Sequence, residues 1–286
     1  MTSFAETIEQ NRQVPVDPVE LYRATNKGAS VDVRRRGSII TGLCLETNHP
    51  HIWTTNVLYA DTEMLDQPKL PASHPAFPFG RHEGLGGQHG WPRYADFELF
   101  SETSSSLRMS AGDPAEVPVM TRAMRLARKS FSLSTQVENA TGEAVDGSVA
   151  EHYYFVLPGD LKDVRINDKK LSSVMGKDAV NDIDNGVARF MTINTEPVGE
   201  SGRRLPTTRV HLFHGIDIEL DAMAMGDAPS ADADMSLVFW RRPGSASLCI
   251  EPVYGARLDD DGNLINTELV LAHGESVALN TEIRTQ

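Results

Sequence analysis

Phe131-Ser132-Leu133-Ser134-Thr135-Gln136-Val137-Glu138 is the stretch on which the fold turns. Phe131, Leu133, Thr135 and Val137 alternate with Ser132, Ser134, Gln136 and Glu138, so one row meets a core while the other meets water. Asn139-Ala140-Thr141-Gly142-Glu143 follows with turn chemistry. Working outward, similar texture predicts strands over residues 38–45, 52–58, 151–157, 187–193, 209–220, 236–241, 247–252, 267–271 and 276–283. Near the N-terminus, Asp17 as a cap, Pro18 in first position and Glu20 completing a capping box predict one short helix over residues 17–23. Many short strands separated by turn signals imply an all-β protein, a large antiparallel β-sandwich. No repeat, low-complexity tail or linker divides the chain. The expectation is a single domain over residues 1–286, with 1–36 as an N-terminal extension and 37–286 as the sandwich.

Composition narrows the function. The chain has 286 residues, a length at which an all-β sandwich still folds as one unit, and its 40% hydrophobic content supports a large core. Cys44 and Cys249 are too far apart in sequence to suggest a disulfide framework, and they fit a reducing cytoplasm. The first residues lack the basic start and apolar run of a signal peptide, and no apolar run approaches the roughly 20 residues that span a bilayer. A soluble cytoplasmic protein without a membrane partner is expected. The net charge of −13 argues against nucleic acid, though a locally positive pocket could still take a phosphorylated sugar. Phosphate-loop, dinucleotide and nucleophile-elbow motifs are absent, so no cofactor is expected.

Three separated segments carry the chemistry. The first runs from His74-Pro75-Ala76-Phe77-Pro78-Phe79-Gly80-Arg81 to Gly87-Gln88-His89-Gly90-Trp91-Pro92-Arg93. Its proline and glycine density marks irregular backbone that a ligand can approach, and Arg81 and Arg93 could donate to hydroxyls or a phosphate. The second is Glu151-His152-Tyr153-Tyr154-Phe155, a histidine on an aromatic strand. A packed core histidine is the plain alternative there. The third is Ser247-Leu248-Cys249-Ile250-Glu251-Pro252, which ends a buried strand on a carboxylate. An ion pair with Arg241 or Arg257 is the plain alternative for Glu251. Metal signals are weak. His211 and His214 face opposite sides of a strand, His49 and His51 flank Pro50, and Asp259-Asp260-Asp261-Gly262-Asn263 puts Arg257 where a calcium loop needs its first ligand. No metal is expected.

In this order and in these local settings, the three segments resemble the aldose 1-epimerase (galactose mutarotase) superfamily, most closely its glucose-6-phosphate 1-epimerase-like branch. The resemblance implies a galactose mutarotase-like supersandwich and a sugar or sugar-phosphate substrate. It implies His152 as the general acid toward the ring oxygen and Glu251 as the base at the anomeric hydroxyl. His89 matches the histidine that contacts the ring and Arg93 the arginine of the hexose-phosphate branch, with Arg81 and Gln88 as further substrate-binding residues. The chain departs from the branch at two points. Lys69 and Leu70 stand where an arginine usually precedes the proline-rich stretch, and Thr207-Thr208-Arg209 lacks the branch's aspartate, leaving Asp217 or Asp221 as substitutes. The implied reaction is interconversion of α and β anomers. A carbohydrate-binding protein of the same fold without turnover is the alternative.

Overall fold

The alternation at 131–138 becomes the central strand Ser130–Glu138, with Phe131, Leu133, Thr135 and Val137 buried and Gln136 and Glu138 exposed. The computed structural model describes residues 3–49, 51–79, 81–82, 87–157, 159–192, 196–198, 202–213, 216–226, 235–258, 264–266 and 269–286. Among these, two large antiparallel sheets pack face to face around one core. The nine-stranded sheet runs in space through Leu21–Asn26, Ala29–Arg34, Ile39–Glu46, Thr54–Leu58, Val149–Val156, Ser247–Tyr254, Met235–Trp240 and Arg189–Thr192. His74–Ala76 pairs with the start of Val149–Val156. The ten-stranded sheet centres on Ile216–Gly226, Ser276–Thr285, Ser130–Glu138 and Val119–Leu126.

Three expectations need correction. The N-terminal helix lies at Phe4–Asn11, where Ser3 and Glu6 form the reciprocal capping box. Residues 17–20 instead lead into the strand Leu21–Asn26, and Glu20 spends its carboxylate on Arg35 at 2.9 Å. Ala24, Val31 and Val33 have a core to enter, and that burial outweighs a local capping signal. The single strand read over 209–220 is two, Gly202–Phe213 and Ile216–Gly226, paired antiparallel. The strands Leu21–Asn26 and Ala29–Arg34 also lie ahead of residue 37, where the sandwich was expected to start. The turn at 259–263 lies outside the described residues, but Ala256–Leu258 and Leu264–Asn266 on either side of it pair as a hairpin.

A polar network bridges the sheets. Glu151 on Val149–Val156 and Arg122 on Val119–Leu126 are both fully buried, 2.7 Å apart. Thr135 donates to Glu151, and Arg122 donates to the backbone carbonyl of Ser38 and, at 2.9 Å, to its hydroxyl. Burial pushes the Glu151 carboxyl upward, while Arg122 and the Thr135 hydroxyl pull it back. Removing one partner of such a pair strands a charge in the interior, whereas replacing both with apolar groups costs far less. Arg122→Met should therefore lower the unfolding free energy by about 3–5 kcal/mol, with Arg122→Met/Glu151→Leu recovering most of it. Urea unfolding of the three proteins checks this. A single-variant loss below about 1 kcal/mol would mean the pair behaves like a surface contact.

Candidate functional site

Strand alternation sets which groups reach the outer face of the nine-stranded sheet. On Val149–Val156, Glu151, Tyr153 and Phe155 point into the core, so His152 and Tyr154 point out. On Ser247–Tyr254, Leu248 and Ile250 join the core, which turns Cys249 and Glu251 to the same outer face. The pairs Ala150–Val253 and Tyr153–Ile250 bracket His152 opposite Glu251. His152 Nε2 lies 2.9 Å from Glu251 Oε1, each side chain only 4% exposed. Cys249 Sγ is 2.8 Å from His152 Nδ1 and 3.4 Å from Glu251 Oε1. Burial, reinforced by the Glu251 charge, pushes the Cys249 thiol well up, so it remains a proton donor. The thiol donates to Glu251 Oε1, so Cys249 touches both the imidazole and the carboxylate.

Two more imidazoles complete the cluster. His74 sits directly across the strand pairing from His152, their rings stacked with centroids 4.7 Å apart and 16° between planes. His74 Nδ1 donates to the Ala72 carbonyl at 2.8 Å, which leaves Nε2 without a proton. His89 meets both rings edge-on, its centroid 5.0 Å from that of His152 and 5.3 Å from that of His74. Its backbone is left-handed at φ 67°, a conformation rare outside glycine and concentrated at functional sites. Gly90 continues at φ 69°, and a Cβ there would lie 1.8 Å from the Phe77 carbonyl oxygen. Only glycine allows that approach, which pins His89 against the sheet. Tyr154 stacks on His152 at 4.8 Å, and Trp240 presents an edge at 6.3 Å.

The polar atoms of this cluster are incompletely used. His74 Nε2, His89 Nδ1 and Glu251 Oε2 are buried without a hydrogen-bond partner, as is Nε of Arg93 nearby. Such atoms are uncommon in folded proteins, and their concentration in one place suits a polar ligand. Ligand atoms of His74, His89 and His152 lie within 4.8 Å of one another, as do those of His152, Cys249 and Glu251. Both sets have the donor types that transition ions prefer.

The structure brings together His152, Glu251 and His89 of the residues expected from the sequence. Arg93 is half-buried, donates to the Leu70 carbonyl at 3.3 Å, and lies close enough for its charge to act on His74 and His89. Arg81 and Gln88 contribute backbone to a two-residue ladder, but their side chains lie outside the described residues. Of the alternative partners for Glu251, Arg241 bonds Asp184 at 3.0 Å and the Ser245 carbonyl, and the Arg257 side chain lies outside the described residues. Asp217 and Asp221 sit on the ten-stranded sheet with His211, Thr207 and Arg284, apart from the cluster. His214 lies outside the described residues. A groove of about 740 Å³, lined by Ser134, Gln136, Arg204 and Arg284 among others, also opens on that other sheet and contains none of the imidazoles. Sequence reasoning assigned no role to His74, Tyr154 or Cys249. Counting by two from His152 and Glu251 would have found Tyr154 and Cys249, but no local pattern marks His74.

No family model matches the chain, and no curated protein matches its sequence. Solved structures do. The chain is similar to a galactose mutarotase-like protein from Lactobacillus casei, with a TM-score of 0.59 and 15% identity over 93% of this chain and 100% of that one. A galactose mutarotase-like protein from Clostridium acetobutylicum gives 0.59 and 12% over 94% and 98%. An aldose epimerase homologue from C. elegans gives 0.56 and 12% over 94% and 99%. The fold is therefore the all-β sandwich of the aldose 1-epimerase and galactose mutarotase-like structures. No helix among the described residues is long and apolar enough to cross a membrane.

The buried imidazoles also set a pH response. Burial, with Arg93 and His152 nearby, holds His74 and His89 well below the ordinary value of 6.5. Below that value the unfolded chain binds protons that the folded chain refuses, so stability falls as pH drops from 6.5 toward the folded values. Two such groups give a slope of up to about 2.7 kcal/mol per pH unit. Unfolding curves at stepped pH should show this slope, and His74→Gln should reduce it by about one proton's worth. An unchanged slope in the variant would contradict the assignment.

Proposed function

We propose that the chain is an aldose 1-epimerase that interconverts the α and β anomers of an aldose or hexose 6-phosphate. The observation that carries this reading is the buried His152–Glu251 pair at 2.9 Å, surrounded by polar atoms that lack partners. Glu251 takes the proton of the anomeric hydroxyl while His152 gives one to the ring oxygen, and the C1–O5 bond breaks. Rotation about C1–C2 turns the aldehyde over, and closure from the other face returns both protons. The unpartnered nitrogens of His74 and His89 and the Arg93 guanidinium are available to hydroxyls or a 6-phosphate. Trp240 and Tyr154 offer apolar rings beside them. Because anomers interconvert unaided in water, the enzyme has a low barrier to lower. Acid and base contributions of ~10²–10⁴ each would suffice.

NMR exchange spectroscopy on glucose, galactose and glucose 6-phosphate tests the reading. Wild type should accelerate anomer exchange for at least one of them. Glu251→Gln and His152→Gln should each lower the rate by roughly 10²–10⁴ without abolishing sugar binding. Sugar binding without any acceleration by wild type would instead make the chain a carbohydrate-binding protein, and the enzymatic reading would fail.

A further inference from the structure

Mutarotation uses one imidazole as an acid, yet three are gathered here. His74, His89 and His152 come from three separate segments, all are buried, and one ligand nitrogen from each lies within 4.8 Å of the others. His74 is oriented as a ligand is usually oriented, with Nδ1–H held by the Ala72 carbonyl at 2.8 Å and the Nε2 lone pair left bare. His89 Nδ1 is bare of partners as well. Glu251, whose Oε1 lies 2.9 Å from His152 Nε2, keeps Oε2 unpartnered beside the three rings.

We infer that His74, His89 and His152 form a site for a divalent transition ion of the zinc type, with Glu251 Oε2 or a solvent oxygen in the fourth position. Three imidazoles and a carboxylate suit zinc, cobalt, nickel or copper, whereas magnesium and calcium require oxygen ligands. Bonds of about 2.0–2.1 Å draw three nitrogens closer than 4.8 Å, so the cluster contracts on binding. The near-parallel rings of His74 and His152 must also splay for both lone pairs to reach one ion. A filled site takes one nitrogen of His152 from its contact with Glu251 or Cys249, so ion and sugar compete for the same pocket.

The test needs no sugar and stands apart from the epimerase reading. Untagged protein is titrated with zinc in a calorimeter and with cobalt by visible absorption, and zinc-loaded wild type is measured by X-ray absorption. The expected result is one ion per chain, a cobalt spectrum of low coordination number, and imidazole scattering from three ligands. His74→Gln and His89→Gln should each weaken binding by at least about tenfold, as loss of a contact to a bound metal does. His49→Gln, a change in the loop between Ile39–Glu46 and Thr54–Leu58, should leave it unaltered. Absence of stoichiometric binding would overturn the proposal. So would binding indifferent to both variants, or scattering from fewer than three imidazoles. The absorption measurement on wild type decides the matter even where a variant fails to fold.

Discussion

Between the two sheets a carboxylate and a guanidinium, Glu151 and Arg122, meet at 2.7 Å with both side chains fully buried. Neither charge is tolerable there alone, and each is held by further bonds to Thr135 or Ser38. The pair's importance is geometric as much as energetic. A strand shifted by one residue turns every side chain to the other face. Such a shift in Val149–Val156 would expel Glu151 from its guanidinium and drive His152 into the core. The interior pair therefore fixes the register of the strand that carries the outer imidazole.

That register then determines the site by simple parity. With Glu151 inward, His152 and Tyr154 are outward, and antiparallel pairing lays Cys249 and Glu251 beside them. The second wall cannot come from the sheet. It comes from the segment after His74–Ala76, which returns through the bridge between Phe77 and Gly90 and brings His89 down on the rings. The left-handed turn at His89 and Gly90 is tolerated because the bridge and the burial of Trp91 and Tyr94 over-determine it. The cluster thus rests on one rigid wall built by two strands and one irregular wall built by a loop.

The sandwich was legible in the sequence because its central strand alternates cleanly, and His152 and Glu251 were legible because apolar residues frame them. What escaped has physical reasons. Val119–Leu126 buries Met120, Arg122, Met124 and Leu126, and an arginine in the inward row breaks the pattern that marks a strand. Ser3 and Glu6 cap a real helix, whereas the equally good signal at Asp17 lost to the sheet, a competition no local window can judge. His74 is invisible for a similar reason. Its place depends on pairing with a strand some 80 residues away, and nothing in His74-Pro75-Ala76 announces that partner.

The direct contact between His152 and Glu251 bears on how an acid and a base could divide one reaction. The ring oxygen and the anomeric hydroxyl are bonded to the same carbon, so donor and acceptor must serve positions one atom apart. Groups held on facing strands at widely separated points could not do so, but two that already touch span that interval with little movement. Cys249 Sγ, 2.8 Å from Nδ1 and donating to Glu251 Oε1 at 3.4 Å, touches both members of the pair from the neighbouring strand position.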